Sequence, residues 1–146
     1  MTHTEAYNLL LAHATIHPDE NHPLHSTGFL AMLRPYKGLI EGNFHEVMQA
    51  LRVVAPDLQN STSIDRNLVT ALWGTCHYAR AWALEPEGML QRNYLIKAAD
   101  QERLADWLNI ISDTVSNLLE GAGESVAFEA YKFHLEDRED MPSAAD

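Results

Sequence analysis

Residues 63–84, SIDRNLVTALWGTCHYARAWAL, constrain the fold more than any other stretch of the chain. Leu68, Leu72, Cys76, Ala79 and Ala83 recur every three or four positions along one side. That period is the signature of an α-helix. Val69, Trp73 and Leu84 fill much of a second side, so the polar face is narrow. A helix apolar over most of its circumference belongs inside a bundle, covered by other helices. Gly74, Cys76, Ala79 and Ala83 are small and allow neighbouring backbones to come close. The expectation is an all-α fold, a single compact bundle of five to six helices with a central buried helix near 63–84.

The flanking segments agree with it. HTEAYNLLLAHATI places Ala6, Leu9, Leu10 and His13 at helical spacing, with Thr2 or Thr4 as the cap and Pro18 as the stop. HSTGFLAMLRPY reads as a short helix starting after Ser26, with Phe29, Leu30 and Leu33 on one side. In NFHEVMQALRVVAP, Asn43 stands as the cap and Glu46, three residues on, can reach back to it. Phe44, Val47, Met48, Leu51 and Val54 form the stripe, and Pro56 closes it. Leu104, Leu108, Ile111, Val115 and Leu118 follow the 4-3-4-3 spacing of a bundle seam. Residues 125–137 fit a helix or an alternating strand, and helix is preferred because no partner strand is evident. One helical domain over 1–140 and a frayed tail over 141–146 complete the expected organisation.

Charge and cysteine usage narrow the function. The net charge is −11. Residues 1–99 carry nine acids against seven bases, and residues 100–146 carry twelve against three. So acidic a surface repels phosphates, which disfavours direct nucleic-acid binding. A protein partner or a homodimer fits it better. Cys76 is alone and forms no intrachain disulfide, the pattern of a reducing, cytoplasmic setting. No apolar run reaches the length of a membrane span, and the N-terminus lacks the features of a signal peptide.

Three constellations could carry chemistry. HATIHPDENHPLH, residues 13–25, holds four of the eight histidines and two His-Pro pairs. His17, His22 and His25, with Asp19 or Glu20, could surround a divalent transition metal such as zinc. Against that, residues before proline leave the helical region, so His13 and His17 cannot pair along a helix and the segment reads as a connection. In WGTCHYARAW, Trp73, His77 and Arg80 share a helix face, the parts of a pocket with a histidine acid/base and an arginine for a carboxylate or phosphate. If buried, His77 and Arg80 need partners, among which Glu46, Asp106, Asp113 and Tyr36 are candidates. Cys76 points away from His77 and reads as a small core residue. Arg34, Tyr36 and Lys37 stand in a turn before a helix N-terminus, a place for an anion or a protein partner.

HExxH, GxSxG, CxxC and phosphate-loop motifs are missing. The first expectation is thus a small soluble cytoplasmic regulatory or interaction protein working through a helical surface, with the acidic C-terminal third as one such surface and enzymatic activity left open. A metal-binding protein using residues 13–25 is one alternative. An enzyme or ligand sensor built around His77 and Arg80 is the other.

Overall fold

A computed structural model of the chain describes residues 1–140, and the expected tail at 141–146 lies outside them. Five long helices carry the fold: α1 (His3–His13), α3 (Glu41–Gln59), α4 (Arg66–Ala79), α6 (Ala98–Leu119) and α8 (Glu129–Asp140). Single turns α2 (Leu24–Thr27), α5 (Met89–Arg92) and α7 (Glu124–Ala127) sit in the connections and raise the count above five to six. Residues 125–137 are helical, and the described residues contain no strand beyond one isolated bridge between Leu33 and Tyr36.

Local chemistry sets the ends. Thr2 Oγ1 accepts the Glu5 N–H, and the Glu5 carboxylate accepts the Thr2 N–H, a complete capping box. The Asp65 carboxylate accepts the Leu68 N–H and the Tyr7 hydroxyl, which starts α4 and ties it to α1. Helix α3 begins at Glu41, before Asn43, and runs through Pro56 to Gln59. Proline there removes one hydrogen bond near the end of the helix, where little is lost.

Helices α1 and α6 each pack on both α3 and α4. Helix α3 buries Phe44, Met48, Leu51, Val54 and Ala55 completely and supplies more of the core than any other helix. Phe44 stacks on Trp107 of α6 with ring centroids 5.3 Å apart, and Tyr131 of α8 meets Phe44 edge-on at 5.6 Å. Such pairs add about 0.5–1.5 kcal/mol beyond the area they bury. Helix α4 covers its Leu68–Leu72–Cys76–Ala79 side as expected. Its second side stays open, with Val69 42% and Trp73 60% exposed.

Two departures from regular helix shape the surface. Residues 29–33 are buried but not helical, since Gly28 is extended and ends α2. A Cβ at Gly28 would come within 2.6 Å of the Leu24 carbonyl oxygen and 3.3 Å of His13 Nδ1. Helix α4 continues as a π turn over Arg80–Leu84, in which the Glu85 N–H reaches the Arg80 carbonyl. Gln91 Nε2 donates to the Ala83 and Leu84 carbonyls that this turn leaves free. Gly88 lies directly against it, where a Cβ would be 2.4 Å from the Ala81 carbonyl oxygen.

Candidate functional site

The histidine segment proves to be a set of backbone braces. His13, the last residue of α1, is fully buried. Its Nδ1 accepts the Phe29 N–H at 2.9 Å, so the ring proton sits on Nε2, which donates to Glu46 Oε1 at 2.8 Å. Burial holds His13 below the ordinary histidine range, although Glu46 pulls the other way. Asn43 assists: its Nδ2 donates to the Thr27 carbonyl at 3.0 Å. Asn43 and Glu46, expected to cap α3, thus hold the 13–32 segment instead.

The two His-Pro pairs form the same turn. His17 Nδ1 accepts the Asp19 N–H at 3.0 Å, and His22 Nδ1 accepts the Leu24 N–H at 3.1 Å. In each case the histidine bonds two residues ahead across a proline that has no N–H of its own, as an Asx turn does.

This arrangement bears on the metal expectation. The rings gather, with centroids 4.8 Å apart for His17–His22 and 6.3 Å for His22–His25. A neutral imidazole ligates through the nitrogen that lacks a proton. In His17 and His22 that nitrogen is Nδ1, already taken by a backbone N–H, and His17 Nε2 is bonded to Asn8 Oδ1 at 3.1 Å. Asp19 caps the Asn21 N–H at 3.0 Å. Glu20 is exposed at the tip of the loop. Among the described residues, no group of three or more His, Cys, Asp or Glu side chains is placed to hold a metal ion.

The second constellation does converge. A cleft of about 470 Å³ opens between α4 and α6, with His77 and Arg80 on its wall. Leu58, Leu72 and Val115 give it an apolar lining, and Trp73 forms one lip. The Trp73 ring stacks on His77 at 4.1 Å and 15°, which fixes both at the mouth. Arg80 is half-buried, and its partners are not the acids expected from the sequence. Its Nη2 donates to Ser112 Oγ at 2.9 Å and to the Leu108 carbonyl and Asn109 Oδ1 at 3.3 Å. Glu46 and Tyr36 are engaged elsewhere, the latter donating to Asp100 Oδ2 at 2.6 Å. Among the described residues Arg80 forms no ion pair, and its Nε and Nη1 have no protein partner. Cys76 is buried at the base of the cleft, and burial pushes its thiol up, away from the reactive thiolate.

The third constellation comes apart. Tyr36 is bound to Asp100, which burial and that carboxylate reinforce by raising its hydroxyl well above the ordinary tyrosine range. Lys37 is exposed. The α3 N-terminus is occupied by Glu41, which pairs with Arg138 of α8. Arg34 turns the other way and lies over Trp82, 5.5 Å from the ring centroid.

One cluster has no counterpart in the sequence reading. His45 Nδ1 meets the Tyr131 hydroxyl at 2.7 Å, and Arg138 Nη1 approaches His45 Nε2 at 3.3 Å, joining α8 to α3. Its members are 86 and 93 residues apart, so no local spacing signals it.

Comparison with protein-family models, with curated proteins and with solved structures finds no match to this chain. No helix among the described residues is long and apolar enough to cross a membrane.

Proposed function

We propose that the protein is a small-molecule binding module, whose α4–α6 cleft takes an amphipathic monoanion with a flexible apolar body and a carboxylate head. The observation that carries this is Arg80. Its guanidinium is oriented by three oxygen partners on α6, all through Nη2, and keeps two other nitrogens available at the end of an apolar cleft. A guanidinium so placed suits a carboxylate, which it can meet with two hydrogen bonds. Leu58, Leu72 and Val115 offer the body of such a ligand an apolar bed. Glu85 at the mouth adds a negative charge, which favours a monoanion over a phosphate monoester. His77 stacks beneath Trp73 and contributes a polar edge rather than a base directed at a buried nucleophile. We place the protein in the cytoplasm, on the ground that its one cysteine forms no intrachain disulfide.

The test is calorimetric titration with decanoate and with decanol. Decanoate binds saturably, and decanol binds about tenfold or more weaker, since a charge-assisted hydrogen bond is lost. Arg80→Met removes that preference while leaving the thermal midpoint near wild type. Equal binding of acid and alcohol, or an Arg80→Met protein that still prefers decanoate, sinks the reading.

A protein partner or second copy is the other reading, and one observation favours it: Trp73 and Val69 stand exposed on the lip of the same cleft. Light scattering over a range of concentrations decides it. A strict monomer whose decanoate affinity does not vary with protein concentration leaves the cleft to the small molecule.

A further inference from the structure

On another flank of α4 lies a second cavity of about 360 Å³. Ile16, Leu30, Tyr78 and Trp82 wall it, and His25 and Arg34 line its polar side. We propose that this cavity is a second binding site, selective for a planar aromatic carboxylate of one or two rings.

Four observations lead there. His25 Nε2 is buried and has no hydrogen-bond partner. Buried polar atoms are nearly always paired, and this one belongs to a residue that lines the cavity, so a small rotation of the ring would bring it to a ligand group. Arg34 carries a full charge, forms no ion pair among the described residues, and is held over Trp82 at 5.5 Å. No acidic side chain lines the cavity, although the chain as a whole is at −11. An arginine with no carboxylate beside it asks for an anion, and the guanidinium fork favours a planar one. Tyr78 and Trp82, with ring centroids 5.5 Å apart and planes 32° from parallel, offer flat faces that suit an aromatic body over a flexible chain.

A further observation concerns the backbone. Thr15, two residues past the end of α1, has φ of 60°, in the position where a helix terminus usually carries glycine. The Ile16 N–H bonds back to the Leu11 carbonyl and the Thr15 N–H to that of Ala12. A β-branched residue is strained there, and strain of this kind gathers at ligand sites. Thr15 and Ile16 both lie on the cavity wall, so the strained turn shapes the site itself.

This proposal does not depend on the α4–α6 cleft, and the test separates the two. The probe is 2-naphthoate, followed by calorimetry and by NMR of the three tryptophan indoles. Saturable one-to-one binding is expected, with the Trp82 indole moving most. Arg34→Met weakens it about tenfold or more, Arg34→Lys restores part of the loss, and His25→Phe weakens it as well. The neutral 2-naphthalenemethanol binds about tenfold or more weaker than the acid. Arg80→Met, which abolishes the decanoate preference, leaves naphthoate binding unchanged. Both Arg34 variants alter an exposed residue, so their folding is not in question. No saturable binding up to about 10 mM, an affinity indifferent to Arg34→Met and His25→Phe, or a loss that follows Arg80→Met instead would overturn the proposal.

Discussion

Histidine serves two different ends of this molecule in two different ways. In the N-terminal segment, His13, His17 and His22 each turn Nδ1 toward a backbone N–H. At the α3–α8 junction, His45 bonds to a tyrosine hydroxyl and an arginine, with Glu41 nearby at 3.9 Å. The first kind of contact fixes the path of the chain by holding a backbone N–H, and in His13 it is coupled through the other ring nitrogen to the Glu46 carboxylate. The second joins side chains that titrate or are screened by salt. The same residue type therefore acts as a brace in one place and as part of a charge cluster in the other.

The largest expected difference is in stability. His13→Leu strands the buried Phe29 N–H and removes the partner of Glu46, which should lower unfolding free energy by about 3 kcal/mol in denaturant titration. His45→Leu sits on a half-buried junction and should lose about 1 kcal/mol. Equal losses would erase the distinction between brace and cluster.

The next contrast is in pH. Burial lowers both His13 and His45 below the ordinary histidine value. The unfolded chain then binds protons more readily than the folded one, so both contributions are whole above about pH 6.5 and are lost as the pH falls below it. Thermal melts should stay level from neutral pH upward and decline on the acid side before carboxylates titrate. His45→Gln should flatten only part of that decline, because His13 remains. A decline unchanged in His45→Gln would place the whole effect on the brace.

The smallest effect is ionic. Arg138 is 46% exposed and pairs with Glu41, itself partly open to solvent. Arg138→Met should cost about 0.5 kcal/mol at low salt and less at high salt, measured by denaturant titration at two ionic strengths. The same salt change should leave the cost of His13→Leu unaltered.

What could be read from the sequence was what depends on near neighbours. The stripes of α3 and α6 are local periodicities, and the structure keeps them. His77 and Arg80 share a face by simple helical spacing, so their meeting on one wall was legible. The cleft they line was not, because its other half is Ser112 and Val115 on α6. Asn43 and Glu46 fit a capping pattern, yet both found partners in the 13–27 segment. A polar side chain chooses its partner by three-dimensional position, and capping competes with every other donor within reach. The prolines mark HATIHPDENHPLH as a connection, but its second step is helical, with Pro23 leading directly into α2. What they could not reveal was that each preceding histidine would close its own turn. Residues 29–33 are apolar enough for a helix, but Gly28 is extended and the Phe29 N–H bonds to His13 rather than back along α2.

The π turn at Arg80–Leu84 has a consequence for how the chain can vary. It amounts to one residue inserted into an otherwise regular α-helix. Deleting one residue there would close the wide turn to a regular α turn and change which way the side chains inside it face. Arg80, at the start of the turn, faces one cavity, while Trp82, two residues on, faces the other. A single-codon deletion would therefore swing one of the two side chains out of its cavity while disturbing little else in the sequence. Related chains that keep both cavities should preserve the number of residues between Cys76 and Gly88 more strictly than their identity.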